Sequence, residues 1–286
     1  MSPCETTYWI EGEDLVLRTR RVSSLLSLFL VVLVAGCSTL GFGRSTTDRI
    51  KRSGELRVAM TGDYPPMNVR TAGGKLIGLD ADLASALAAI LQVELVLVQK
   101  PFGELIEAVR SGEVDIAISG ITMTPQRNLE VPFAGPYYLS RKAILGTPAQ
   151  LEDITAVHQL HGRFLKVAAI SGSTSEALVK RVLPSATHLF VASQDDAIAL
   201  VLRGDADVMI ADDPVIRLAL LRNPDSGLTF VESDFSAQPI GIAVTPGDPL
   251  FVNLIENYLR SLERIGVLDR FRNKWFDNSD WLSSVD

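Results

Sequence analysis

The chain has 286 residues, 47% hydrophobic and 21% charged, with a formal net charge of −7 and a pI of about 5.1. That length and balance suit one large globular domain or two modest ones, and exclude a chain too polar to bury a core. The acidic balance leaves no basic surplus to hold a phosphate backbone, so nucleic acid is not an expected partner.

In chain order, Arg18, Arg20 and Arg21 precede an apolar run from Val22 to Val34 that ends at Ala35-Gly36-Cys37. A basic start, a short apolar stretch and small residues before a cleavage point are the order of a signal peptide, here expected over residues 1–36. The run is too short for a comfortable membrane span. Val34-Ala35-Gly36-Cys37 resembles the bacterial lipoprotein box, which implies lipidation of Cys37 and a flexible tether over residues 37–47. Glu5, Glu11, Glu13 and Asp14 put acidic charge ahead of the basic segment, so residues 1–17 read as an artefact of the assigned translation start. Cys4 and Cys37 are the only cysteines, so no disulfide is expected within the processed chain.

The remainder carries an internal echo. Leu56-Arg57-Val58-Ala59 returns as Leu165-Lys166-Val167-Ala168, each followed by a Gly turn and a helix. The segment Val109 to Ile116 returns as Leu202 to Val208, in each case a helix end, a glycine and a buried strand. Asp80 reads as the cap of a helix over Leu83 to Leu91, and Phe102 as the start of another. Ser173 with Glu176 and Ser193 with Asp196 read as the starts of two more. Strands alternating with helices predict an α/β fold with mainly parallel sheets covered on both faces. Two such halves predict two lobes, with a ligand in the cleft beyond the carboxyl ends of the strands; a single larger α/β domain is the competing architecture.

Residues 119–127, Ser-Gly-Ile-Thr-Met-Thr-Pro-Gln-Arg, follow a predicted strand over Val114 to Ile118, with Thr124 as N-cap and Pro125 at the first helical position. Free N–H groups near Ser119, Gly120 and Thr122, with the planar fork of Arg127, would suit a carboxylate; a capped surface helix accounts for the same residues. Gly172-Ser173-Thr174 offers a second such turn, or a plain cap. Asp212 and Asp213 end a predicted strand, where paired acids could serve as acid and base, hold a metal, accept an ammonium group or simply face water. Tyr64 and Phe102 could sandwich a ligand between rings, or pack. The three histidines, His158, His161 and His188, form no catalytic or zinc pattern, and no cofactor or metal is expected.

Together the segments Gly62-Asp63-Tyr64-Pro65-Pro66, Gly78-Leu79-Asp80-Ala81-Asp82-Leu83, Ser119 through Arg127, Pro136-Tyr137-Tyr138, Gly172-Ser173-Thr174, Asp212-Asp213-Pro214 and Gly241-Ile242-Ala243-Val244 resemble the polar amino-acid-binding family of extracellular solute-binding proteins. So does a tail with Gly266, Asp269 and Lys274-Trp275-Phe276, and the resemblance spans roughly residues 50–277. It implies a periplasmic-binding-protein-like fold, two α/β lobes joined by two hinge strands, with one lobe made of residues 48–142 and 242–286 and the other of 143–241. The hinges would fall near Lys142 to Gly146 and Pro239 to Ala243. It also implies that Arg127, Gly120 and Thr122 hold a ligand α-carboxylate with Thr174, that Asp212 accepts the α-ammonium, that Tyr64 and Phe102 flank the side chain, and that Thr61 meets its end group. Arg141 stands where the family usually has a small residue, near the first hinge.

The implied function is capture of a small polar amino acid or close analogue and its delivery to an ABC import permease, by an exported, lipid-anchored monomer. Two rivals use the same fold. A sensor would report the liganded state to a membrane partner. A periplasmic cyclohexadienyl dehydratase resembles the chain around Arg57-Val58-Ala59 and Thr61-Gly62-Asp63-Tyr64, but carries a catalytic Glu where this chain has Val215.

Overall fold

The computed structural model describes residues 45–285 apart from 153, 155, 156, 162, 163, 233–236 and 279. The signal segment and Cys37 lie outside the described residues. Residues 45–47, read as the end of a tether, instead open a helix, Thr46–Ser53: Ser45 caps it by accepting from the Asp48 N–H. The Thr47 N–H and hydroxyl both donate to Asp248, at 2.9 and 2.8 Å. Those two bonds to a buried carboxylate fix what the small polar composition suggested was free.

Two five-stranded sheets follow. The first contains β1 (Glu55–Met60), β5 (Glu94–Gln99), β6 (Ile116–Ala117), β7 (Phe133–Ser140) and β13 (Gln238–Val244), in the order β5-β1-β6-β13-β7. The second contains β8 (Lys142–Gly146), β9 (Lys166–Ile170), β10 (Thr187–Val191), β11 (Val208–Asp212) and β12 (Thr229–Glu232), in the order β10-β9-β11-β8-β12. A small antiparallel sheet of β2 (Asp63–Tyr64), β3 (Asn68–Arg70) and β4 (Leu76–Ile77) rides on the first lobe. In each large sheet four strands run one way and one runs against them, β13 in the first and β8 in the second. Each reversed strand is the one the chain enters on crossing from the other lobe. The repeated pattern read from the sequence is therefore a repeated topology, with β1 and β9 at equivalent places and Gly112 and Gly204 both left-handed (φ 76° and 75°) before the equivalent strands β6 and β11.

The crossings differ slightly from the sequence expectation. Lys142 to Gly146 pairs entirely within the second sheet, so the first crossing is at Arg141; Gln238 to Val244 belongs to the first sheet and is not itself the second crossing. Ladder bonding along these strands, broken in β13 only by a register shift between Ile240 and Ile242, holds each to one lobe.

The β-rich halves bury long apolar sets: Leu56, Val58, Met60, Leu83 and Leu87 in the first lobe, and Ile144, Val167, Val179 and Ile210 in the second. The helix predicted from Leu83 begins a turn earlier, as Leu79–Leu91, with Gly78 (φ 131°) at its N-cap and no side-chain cap. Asp80 therefore sits inside the first turn, and its carboxylate is turned into the lobe. A side chain at Gly78 would meet the Met67 carbonyl at 2.2 Å, so only glycine lets the loop and helix approach this closely.

Candidate functional site

The cleft is built from turns that follow strand ends. Beyond β6, Thr124 accepts from the Arg127 N–H at 3.2 Å and Pro125 takes the first position of a four-residue helix, Pro125–Asn128, as the sequence predicted. This cap projects Arg127 toward the second lobe. Its Nη1 donates to the Thr122 carbonyl at 2.8 Å, its Nη2 to the Gly172 carbonyl at 3.0 Å, and its guanidinium lies over the Phe102 ring, 5.4 Å from the centroid. Burial lowers the guanidinium from its ordinary pKa, and the negative charge of Asp212 opposes that shift.

Hydrogen bonds between residues of the two lobes join them at this place. The Tyr64 hydroxyl donates to Asp212 Oδ2 at 2.5 Å, the Thr122 and Thr174 hydroxyls meet at 3.4 Å, Thr174 donates to Gln238 Oε1 at 3.3 Å, and Arg127 reaches Gly172. Gly103 and Gly172 approach so closely that a side chain on Gly172 would stand 2.9 Å from the Gly103 Cα. Of the residues singled out from sequence, Tyr64, Phe102, Gly120, Thr122, Arg127, Gly172, Thr174 and Asp212 thus converge on one place.

Their partners differ in detail from those expected. The room left by Gly120 (φ 60°) is filled by the Tyr64 ring, whose Cε1 would be 2.1 Å from an added side chain. The Gly120 N–H donates to the Tyr137 hydroxyl at 3.2 Å, and the Gly172 N–H to Glu176 at 2.5 Å, so neither is a free donor. Tyr64 and Phe102 each lie against a charged group of the cleft, Tyr64 on Asp212 and Phe102 under Arg127. Ser173 is a helix cap: its Oγ accepts from the Glu176 N–H and donates to the Ile170 carbonyl.

Thr61 and Ser119 turn into a buried polar cluster of the first lobe. Ser119 Oγ accepts from the Thr61 N–H at 3.0 Å, Thr61 Oγ1 donates to Asn68 Oδ1 at 3.0 Å, and Asn68 Nδ2 donates to Asp80 at 2.7 Å. Tyr137 donates to the other Asp80 oxygen at 2.6 Å. Asp80 is fully buried, and burial pushes its carboxyl up to about 6 against the opposing effect of these hydrogen bonds.

Sequence reasoning missed Ser140 and Lys142. Both donate to Asp212 Oδ1, at 2.9 and 2.8 Å, and Lys142 is only 2% exposed. Arg141, the basic residue that stood out in the sequence, points to solvent instead. The signal was the register: antiparallel pairing of β8 with β11 sets Lys142 directly opposite Asp212, which only the sheet topology reveals. Asp213 is engaged elsewhere, with Arg217 at 2.8 Å.

Two α/β lobes of matching topology, connected by two crossings and meeting through residues of both, define a two-lobed binding protein. The chain belongs to the bacterial extracellular solute-binding proteins, family 3, whose pattern matches residues 56–278. It is 24% identical over 249 residues to ABC transporter arginine-binding protein 1 of Escherichia coli K12, covering 86% of this chain and 98% of that one. It is 28% identical over 251 residues to the cyclohexadienyl dehydratase of Pseudomonas aeruginosa, covering 88% and 93%. Among solved structures it is similar to the ancestral amino acid-binding protein AncCDT-1, a precursor of cyclohexadienyl dehydratase, with a TM-score of 0.74 and 34% identity over 81% of this chain and all of the other. Among the described residues no helix is long and apolar enough to cross a membrane.

Proposed function

We propose that the chain captures a small amino acid or close analogue between its lobes and passes it to an ABC import permease. The observation that carries this is the division of charge: Arg127 projects from one lobe and Asp212 from the other, with Tyr64 reaching across. A ligand that engages both ends has differential affinity for the closed state and so drives closure. The E. coli relative named for arginine binding and the ancestral amino acid-binding protein support the same class of ligand. In this reading Arg127 exchanges backbone carbonyls for the ligand carboxylate, a stronger, bidentate, charge-assisted pair. Thr122 and Thr174 supply hydroxyls beside it. The protein works as an exported, lipid-anchored monomer with Cys37 as the anchor.

The dehydratase relative keeps an enzymatic reading in view, and two features weigh against it. Val215, which stands where the resemblance calls for a catalytic acid, is an apolar residue packed in the core, and Asp213 is already paired with Arg217.

Thermal melting of the purified protein against the common amino acids tests the proposal. A ligand at a hundred times its Kd adds about 2.7 kcal/mol, worth roughly 5–10 °C in a domain of this size. No shift with any amino acid removes it.

A further inference from the structure

The carboxylate expected to receive a ligand ammonium already holds one supplied by the chain. Asp212 accepts from the Lys142 ammonium and the Ser140 hydroxyl on Oδ1 and from the Tyr64 hydroxyl on Oδ2. A carboxylate has about four acceptor sites, so three intrachain donors leave roughly one. Lys142 cannot easily vacate its place. It is 2% exposed on a strand whose ladder sets it opposite Asp212, and turning it away would strand a buried charge.

Charge around the contact between the lobes is therefore unbalanced. Arg127 and Lys142 bring two positive charges, and Asp212 brings one negative. Glu130, a weaker opposing charge for Arg127 than Asp212, is exposed to water, where its field is screened, and the other acidic groups nearby are spoken for. Asp213 and Glu232 pair with Arg217, Glu176 pairs with Lys180, and Asp80 faces the interior of its own lobe. Farther out, Asp63 and Asp195 share a cavity with Arg70 and Arg222, two charges of each sign. Arg127 itself spends its donors on two backbone carbonyls, which leaves its positive charge without an anion in contact.

We infer that Lys142 sets the charge preference of this cleft, so that its ligand is a small carboxylate of net charge −1, an acidic amino acid or a 2-oxo acid, in place of a neutral or cationic amino acid. A neutral amino acid adds no net charge and leaves the positive excess of the cleft in place. A cationic amino acid adds a further positive charge to a closing, water-poor cleft, where like charges are least screened. A monoanion balances the cleft. This rests on the ligand-binding reading above and narrows it.

The test is calorimetric titration of the purified protein with L-glutamate, L-aspartate, 2-oxo-4-methylpentanoate, L-glutamine, L-asparagine and L-arginine, alongside the other common amino acids. At least one monoanion should bind ten times more tightly than the amides, with arginine weaker still. Preference for glutamate or aspartate over the 2-oxo acid identifies an acidic amino acid as ligand; the reverse order identifies a ligand without an ammonium. In Lys142→Gln, checked for folding by circular dichroism, the ratio between the preferred anion and its neutral counterpart should narrow at least tenfold. The ranking by the unaltered protein stands as a test even if the variant does not fold. Arginine or a neutral amino acid binding as tightly as the monoanions overturns the inference and leaves the amino-acid reading intact. Binding by none of the panel overturns both.

Discussion

Gly120→Ala is the sharpest perturbation of the joint between the lobes. An added methyl would stand 2.1 Å from Cε1 and 2.7 Å from Cδ1 of Tyr64, well inside van der Waals contact, and the ring is buried. It must move by more than an ångström, which breaks the 2.5 Å hydrogen bond to Asp212. Forcing a side chain into the left-handed region costs about 1–2 kcal/mol. Overpacking adds roughly 1–3 kcal/mol, and a hydrogen bond to a charged group about 1.5–3 kcal/mol. Because these overlap, the expected total is about 3–6 kcal/mol. Gly112→Ala is the matched control, since Gly112 has φ 76° and nothing within 4 Å of the added atom, so it carries only the conformational cost. Urea unfolding of both variants measures the difference, with the slope checked for constancy. Gly120→Ala should be at least about 2 kcal/mol the less stable. Equal midpoints would show that the Tyr64 ring does not pack on Gly120 as described.

Three further outcomes are expected. Asp80 titrates at about 6 in the folded chain against an ordinary 3.8, so its contribution is fully present below pH 3.8 and is lost as pH rises through 6. The stability of the protein relative to Asp80→Asn should fall by up to about 3 kcal/mol between pH 4 and 6.5, and a difference that stays flat or rises would contradict the burial of that carboxyl. Ser173→Ala should cost about 1 kcal/mol of stability through its lost helix cap, with little change in ligand affinity, as urea unfolding and titration can check. Gly172→Ala places a methyl 2.9 Å from the Gly103 Cα, so small-angle scattering should show a more open average arrangement of the lobes than in the unaltered protein.

Local signals were the legible ones. Thr124-Pro125 and Ser173 announce helix starts through caps that need only neighbouring residues, and the echo of Leu56 to Ala59 in Leu165 to Ala168 marks equivalent strands because the same buried apolar face is needed twice. Asp80 reads as a cap from sequence because the Asp side chain is a common one. Here Gly78 gives the chain its sharp entry, and the carboxyl is drawn inward by Tyr137 and Asn68 from elsewhere in the fold. Lys142 was invisible for a similar reason. Nothing near it in the sequence is acidic, and its meaning comes from the antiparallel register that sets it against Asp212, 70 residues on. Tyr64 and Asp212, 148 residues apart, were each identified as cleft residues, while their direct bond depends on how the lobes meet.

The central claim is that the two lobes grip a small carboxylate with Arg127. Titration calorimetry of the purified protein and of Arg127→Ala, with whichever ligand the unaltered protein binds, tests it most directly. The account predicts one site per chain and a loss of about 2–5 kcal/mol in the variant, a factor of roughly thirty to several thousand in Kd. Undiminished affinity in Arg127→Ala would contradict it.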